Sequence, residues 1–285
     1  TDALDIDRDP DAYLAVHAAL DEPVADALLS PREQAVRRAV RQVVAVDVAP
    51  RAAAADRDHA FVHDSYQALA KAGLAALLVP EHRGGSGDST TAYAAAMEEI
   101  TAGCAATSLV YMTQMHAAHP ILAAGSEQLR RRFVPPLAEG THYGAIAITE
   151  PNAGSDVASM RTLAAPHAGG YRITGSKTFI TSGDRADVIV CFATVQRTKG
   201  REGISAFVLD GRWLGLSRGT PFQKMGMHGS STAELFLDGI EVPRDHLLGT
   251  AGGGSSWTRS RRPASAPPPR GSGSPAPPTR ARCAP

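Results

Sequence analysis

Over residues 1 to about 140, apolar side chains recur at helical spacing, as in Val36, Val40, Val43 and Val44 and again in Tyr66, Leu69 and Ala70, against an alanine-rich background. This half is predicted to be helical. Ser30-Pro31-Arg32-Glu33 offers a capping serine, a proline at the first helical position and a glutamate at the third, so a helix is predicted to begin at Pro31. Gly73 is expected to end a helix begun near Phe61, residues 80–87 to form a glycine-rich interhelical loop, and residues 90–100 to be helical again. From Tyr143 to about Leu248 the period changes to two, in Tyr171-Arg172-Ile173-Thr174, residues 188–193, residues 204–209 and Glu234-Leu235-Phe236-Leu237. Short strands between glycine-bearing turns predict a compact β-barrel or sandwich. The fold class is α+β: an all-α domain over residues 1–140, then a β-barrel-like middle domain over 141–249.

Composition narrows the function classes. Twenty-nine basic residues balance 29 acidic ones, so no charge excess points to nucleic acid or an anionic membrane surface. Cys104, Cys191 and Cys283 stand singly, which fits free thiols in a reducing compartment. No apolar run approaches the roughly 20 residues of a membrane span, and the acidic N-terminal stretch reads as neither signal nor transit peptide, so a soluble, cytoplasmic protein is expected. His116 and His119, three residues apart without a third ligand, are assigned no metal.

The stretch AIAITEPNAGSD, residues 145–156, carries the candidate chemistry. An alternating approach through Ile146, Ala147 and Ile148 reaches Thr149 and breaks at Glu150-Pro151. Gly154 permits close backbone approach to a ligand, and Ser155 adds a hydroxyl beside main-chain N–H groups, a combination suited to a diphosphate. Thr149 could hydrogen-bond a polar ring edge. Farther on, KTFITSG places Phe179 and Thr181 on one face of a strand, an aromatic plane beside a hydroxyl, with Ile180 between them. Pattern alone favours a strand, a proline turn and a second strand, with Phe179 in the core and Ser155 and Asp156 capping the turn.

TEPNAGSD followed by KTFITSG resembles the flavin signature of the acyl-CoA dehydrogenases, in which a T-E-P-x-A-G-S-D segment and a W/F-I-T segment line FAD. The resemblance extends upstream to the P-E-x-x-G-G-S-G loop and to Gly125-Ser126-Glu127 with residues 133–137. Downstream it takes in residues 224–232 and Val242-Pro243-Arg244-Asp245-His246-Leu247-Leu248-Gly249. It implies a helical N-terminal domain, a β-domain and a C-terminal helical bundle, with α,β-dehydrogenation of an acyl-CoA thioester and electron transfer to an electron-transferring flavoprotein. It further implies FAD contacts at Ile146, Ala147, Ile148, Thr149, Gly154, Ser155, Phe179, Ile180 and Thr181. Thr149 would meet the flavin ring, Ser155 the pyrophosphate and the acyl-CoA, and Phe179 the isoalloxazine. Phe179 stands where tryptophan is commoner in the family.

The departure lies at the end. The family's catalytic glutamate falls beyond the position of Gly249, and no glutamate follows Glu241 in this sequence, so no catalytic residue is assigned. Residues 252–285 hold eight prolines, six arginines and no acidic residue, and the stretch 250–285 is expected to be a disordered Pro/Arg-rich tail. A frameshift near codon 250 of a GC-rich gene would explain this. The chain as written is expected to lack the base, part of the flavin site and the assembly surface, and to be inactive. A homo-oligomer is expected only for a full-length relative. The alternative is a non-catalytic flavin- or acyl-CoA-binding remnant with a basic interaction tail. The same fold also carries oxidases and monooxygenases.

Overall fold

The computed structural model describes residues 29–252. The expectation for residues 253–285 lies outside them. Among the described residues six α-helices come first: α1 (Pro31–Val43), α2 (Ala49–Arg57), α3 (His63–Lys71), α4 (Thr90–Gly103), α5 (Ala105–Ala124) and α6 (Glu127–Ala138). α1 starts where the capping box places it. Ser30 Oγ accepts from Glu33 N–H at 3.4 Å, and Glu33 Oε2 accepts from Ser30 N–H at 2.8 Å. A π-helical turn, Val44–Val48, joins α1 to α2, which the valine spacing did not announce; Val40, Val44 and Val48 are all buried. α3 begins at His63, two residues past the expected Phe61, and Gly73 follows its end with φ of 73°.

The strands are β1 (Gly144–Ala147), β2 (Leu163–His167), β3 (Gly170–Thr181), β4 (Val188–Thr194), β5 (Ile204–Asp210), β6 (Leu216–Arg218), β7 (Thr232–Pro243) and β8 (Leu247–Leu248). They form one sheet in the order β6-β7-β3-β2-β4-β5-β8, with β1 parallel to β4. β4 and β5 are buried along their whole length. The reason is that both faces are covered. Val188, Val190, Phe192, Ile204, Ala206 and Val208 pack toward α5 and α6, while Ile189, Cys191, Ala193, Phe207 and Leu209 fill the interior of the β-domain. Apolar burial on both sides at about 25 cal/mol per Å² makes this pair the spine of the molecule.

β1 is the junction between the halves. Gly144 N–H donates to the buried Gln114 Oε1 of α5 at 2.9 Å, and a Cβ at Gly144 would sit 2.5 Å from Ala117 Cβ. The missing side chain lets β1 lie directly on α5, which fixes where the segment after β1 emerges. Beyond β8, Gly252 N–H donates to Ser205 Oγ at 2.8 Å, so the first residues of the expected tail are still tied to the sheet. Among the described residues, no helix is long and apolar enough to cross a membrane, and no group of three or more His, Cys, Asp or Glu side chains could hold a metal ion.

Candidate functional site

Past β1 the chain runs through Ile148 and Thr149 to Glu150 and turns. Thr178 N–H donates to Thr149 O at 2.9 Å, fastening the end of this approach to β3. Glu150 and Ala153 exchange both main-chain hydrogen bonds at 3.1 Å, which closes the turn at Pro151-Asn152. The Glu150 side chain points inward. Its carboxylate accepts from Arg161 N–H at 2.7 Å, from Thr162 N–H at 2.9 Å and from Lys177 Nζ at 2.8 Å, and Lys177 Nζ also donates to Ile148 O at 3.0 Å. The Lys177 side chain is fully buried and that of Glu150 is 5% exposed.

One ion pair therefore closes the loop between residues 148 and 162. Burial pushes the Glu150 carboxyl up, but the Lys177 ammonium and the Thr162 and Arg161 donors outweigh it and hold the group below its usual range. Beside the pair, burial pushes the Cys191 thiol up to about 11, which leaves it neutral and unreactive.

The outer face of the loop is open. Pro151, Asn152, Gly154, Ser155 and Asp156 are exposed, and a Cβ added at Gly154 would meet nothing within 4 Å. Nothing in the chain's own packing requires glycine at 154. The main-chain N–H groups of Gly154, Ser155 and Asp156 find no acceptor among the described residues, leaving three consecutive donors without a protein partner in an exposed turn.

Phe179 lies on the neighbouring strand. β3 carries one extra residue against β7 between the pairs Lys177–Leu235 and Ile180–Ala233, and Phe179 occupies this bulge with φ of 57°. The left-handed backbone turns the ring out of the sheet, where it is 66% exposed and lies 5.2 Å from the Phe222 ring. The reading that buries Phe179 in the core is thereby overturned. A bulky residue at positive φ is strained, and here the bulge and its flanking ladder impose the conformation.

The nine residues singled out in the sequence divide by environment. Ala147 and Ile180 sit in the β-domain core, and Ile146 and Ile148 pack against the core beneath α5 and α6. Thr149 and Thr181 are half-buried, while Gly154, Ser155 and Phe179 are exposed. Sequence reasoning missed the Glu150–Lys177 pair and the Phe222 ring. Neither carries a local signal: the pair forms only because β3 sets Lys177 opposite the buried Leu235 and beneath the turn at Glu150.

Residues 30–141 match the sequence model of the acyl-CoA dehydrogenase N-terminal domain, and residues 145–240 match that of the acyl-CoA dehydrogenase middle domain. The chain belongs to the acyl-CoA dehydrogenase family. It is similar to an acyl-CoA dehydrogenase of Bacillus subtilis, with 38% identity over 220 residues, 77% of this chain and 58% of that one. The structure of butyryl-CoA dehydrogenase from Megasphaera elsdenii superimposes with a TM-score of 0.76 at 33% identity, covering 80% of this chain and 61% of the other. That of PigA with FAD and proline gives 0.77 at 26% identity, covering 80% and 60%. The chain thus spans about 60% of the length of the relatives it matches.

Proposed function

We propose that this chain is the flavin-holding part of an acyl-CoA dehydrogenase and that FAD lies against the outer face of the 146–155 segment and Phe179-Ile180-Thr181. The observation that supports this reading is the Thr178 N–H to Thr149 O hydrogen bond, which puts the open Gly154 turn and the outward Phe179 ring on adjacent, rigidly tied segments. The residues present suit the group. An exposed aromatic plane fits one face of a flat ring system, and three free main-chain donors with the Ser155 hydroxyl fit a diphosphate. Family membership and the FAD-bound PigA structure point the same way.

FAD, when bound, supplies the hydride acceptor for the β-hydrogen of an acyl-CoA thioester. The chain's own residues orient and shield. In this reading Thr149 holds the ring edge, Ser155 the pyrophosphate and the near part of the acyl-CoA, and Phe179 limits access of water to the ring. Gly154 keeps room for the diphosphate, while Ile146, Ala147, Ile148 and Ile180 support these residues from the core side. Glu150 is committed to Lys177 and two amides and does not serve as the base for the α-proton. We place the all-α unit at residues 1–140 and the flavin-bearing unit at 141–249, with electron-transferring flavoprotein as the oxidant of the complete enzyme.

Titration of the purified chain with FAD, followed by flavin fluorescence, tests the reading. Binding that weakens in Phe179→Ala and Ser155→Ala supports it; no binding, or binding indifferent to both changes, overturns it.

A further inference from the structure

The edge of the sheet brings a second aromatic to the candidate site. Beyond Arg218 the chain stays on β7: Gly219 N–H donates to Glu234 O at 2.9 Å and Phe222 N–H to Thr232 O at 2.8 Å. Residues 219–222 thereby continue the line of β6 along β7. A Cβ at Gly219 would lie 3.3 Å from Glu234 Cβ, so the approach is close. Pro221, which has no N–H to give, falls on the sheet's edge, where that loss breaks no ladder. Thr232 joins the parts. It pairs with Thr181 in the β3–β7 ladder, its carbonyl holds Phe222, and its hydroxyl accepts from Lys224 Nζ at 3.5 Å. Lys224 Nζ also donates to the carbonyls of Met227 and Ser230, which pins the chain just after Phe222.

Phe179 reaches the same place from β3, two residues before Thr181. Its ring meets that of Phe222 at 5.2 Å between centroids with the planes 35° apart, inside the range of about 4.5–7 Å in which aromatic rings attract. Phe222 is half-buried, whereas most of Phe179 is exposed.

We propose that Phe222 is a positioning residue for the candidate site: its ring, held by the hydrogen bond to Thr232, selects the side-chain rotamer in which Phe179 presents its plane. That this plane meets a flavin rests on the reading above, whereas the selection of the rotamer does not.

The bulge and its left-handed backbone settle where the Cα–Cβ bond of Phe179 points. Rotation about χ1 remains, and a largely exposed ring has no core packing to arrest it. A ligand that needs one staggered well binds in proportion to the population of that well. A ring shared evenly among three wells would hold the binding orientation about a third of the time, and a ring kept in one well would hold it nearly always. A neighbouring ring on a separate, hydrogen-bonded segment supplies the restraint, and because it leaves most of Phe179 open the plane stays available. Phe222 acts through Phe179 and not on the ligand itself.

The test has two parts, both on the full 285-residue chain. The first needs no ligand: three-bond NMR couplings from Phe179 Cγ to its own amide nitrogen and carbonyl carbon report χ1. One dominant rotamer is expected in the unaltered protein and in Phe222→Tyr, and an average over rotamers in Phe222→Ala. Averaging in the unaltered protein, or a single rotamer that survives Phe222→Ala, overturns the proposal. The second part is FAD affinity, followed by flavin fluorescence in a double-mutant cycle. Phe222→Ala is expected to weaken binding about threefold, Phe222→Tyr to leave it unchanged, and Phe222→Ala to have no effect in the Phe179→Ala background. The same loss in both backgrounds, or no loss in either, overturns the positioning role. The expected couplings with no FAD binding in any variant support the selection of the rotamer and overturn the flavin reading alone.

Discussion

Lys177 Nζ lies 2.8 Å from Glu150 Oε1 with both side chains withdrawn from solvent, and this contact joins the strand that presents Phe179 to the turn that presents Gly154 and Ser155. Attraction between two buried charges offsets a large desolvation cost only when every remaining site is satisfied. Here Glu150 also holds two amides and Lys177 a carbonyl, so the pair is well satisfied.

Removing one partner strands the other. Lys177→Met is expected to cost about 3–5 kcal/mol in urea unfolding, because an unpaired carboxylate remains buried. The double variant Glu150→Gln with Lys177→Met is expected to recover at least half of that loss, since no buried charge is left. Equal losses in the single and double variants would show that packing rather than charge governs the site.

The same carboxylate sets an acid limit. With Glu150 held below its ordinary value of 4.5, its contribution to stability is complete above that pH and disappears as pH falls through the depressed folded-state value. In Glu150→Gln this limb of the stability-pH curve is expected to vanish, which thermal melts between about pH 5 and about pH 2 would reveal.

A second limb belongs to His246, buried where β8 meets α6, with its Nδ1 2.7 Å from Val208 O and its ring against Phe133 and Trp213. Burial depresses this imidazole below its ordinary 6.5, more than the Val208 carbonyl raises it. Its contribution is complete above about 6.5 and is lost as pH falls below that value. His246→Asn keeps a donor for Val208 without a titrating ring, and is expected to flatten the curve just below pH 6.5 while leaving the lower limb of Glu150 intact.

Phe179 is strained, exposed and unnecessary to the core, so Phe179→Ala is expected to leave the melting temperature nearly unchanged. Its effect is expected on FAD, with affinity reduced by about 1 kcal/mol or more, some fivefold, from the lost ring contact. Phe179→Trp is expected to bind at least as tightly. A large fall in melting temperature for Phe179→Ala would mean that the ring serves the fold instead.

Gly175 supports the site from below. A Cβ there would lie 2.5 Å from Thr162 Oγ1 and 2.7 Å from Thr162 Cα, and Thr162 supplies one of the amides held by Glu150. Gly175→Ala is expected to destabilise by about 1–3 kcal/mol and to speed exchange of the Thr162 amide. Gly169→Ala, at φ of 79° with nothing within 4 Å, is the matched control: backbone strain of about 1 kcal/mol with the Thr162 amide unaffected.

Local chemistry was legible in the sequence. The capping box at Ser30 and Glu33, the glycine after α3, the change from helical to alternating period near residue 143 and the turn at Glu150-Pro151 each depend on neighbours within a few positions, and the structure has each of them. The motif residues also identified the family, because their spacing along the chain is itself the signature. The tertiary structure decided everything that depends on which segments meet. Alternation set Phe179 and Thr181 on one strand face, but a one-residue bulge against β7 and a left-handed backbone at Phe179 determine that the ring faces outward. Lys177 and Glu150 are 27 residues apart, and Arg132 of α6 and Asp210 of β5, also paired, are 78 apart. Charge pairs of that kind exist only after the sheet and the domain interface have formed, since burial and long-range register, not local propensity, choose the partners.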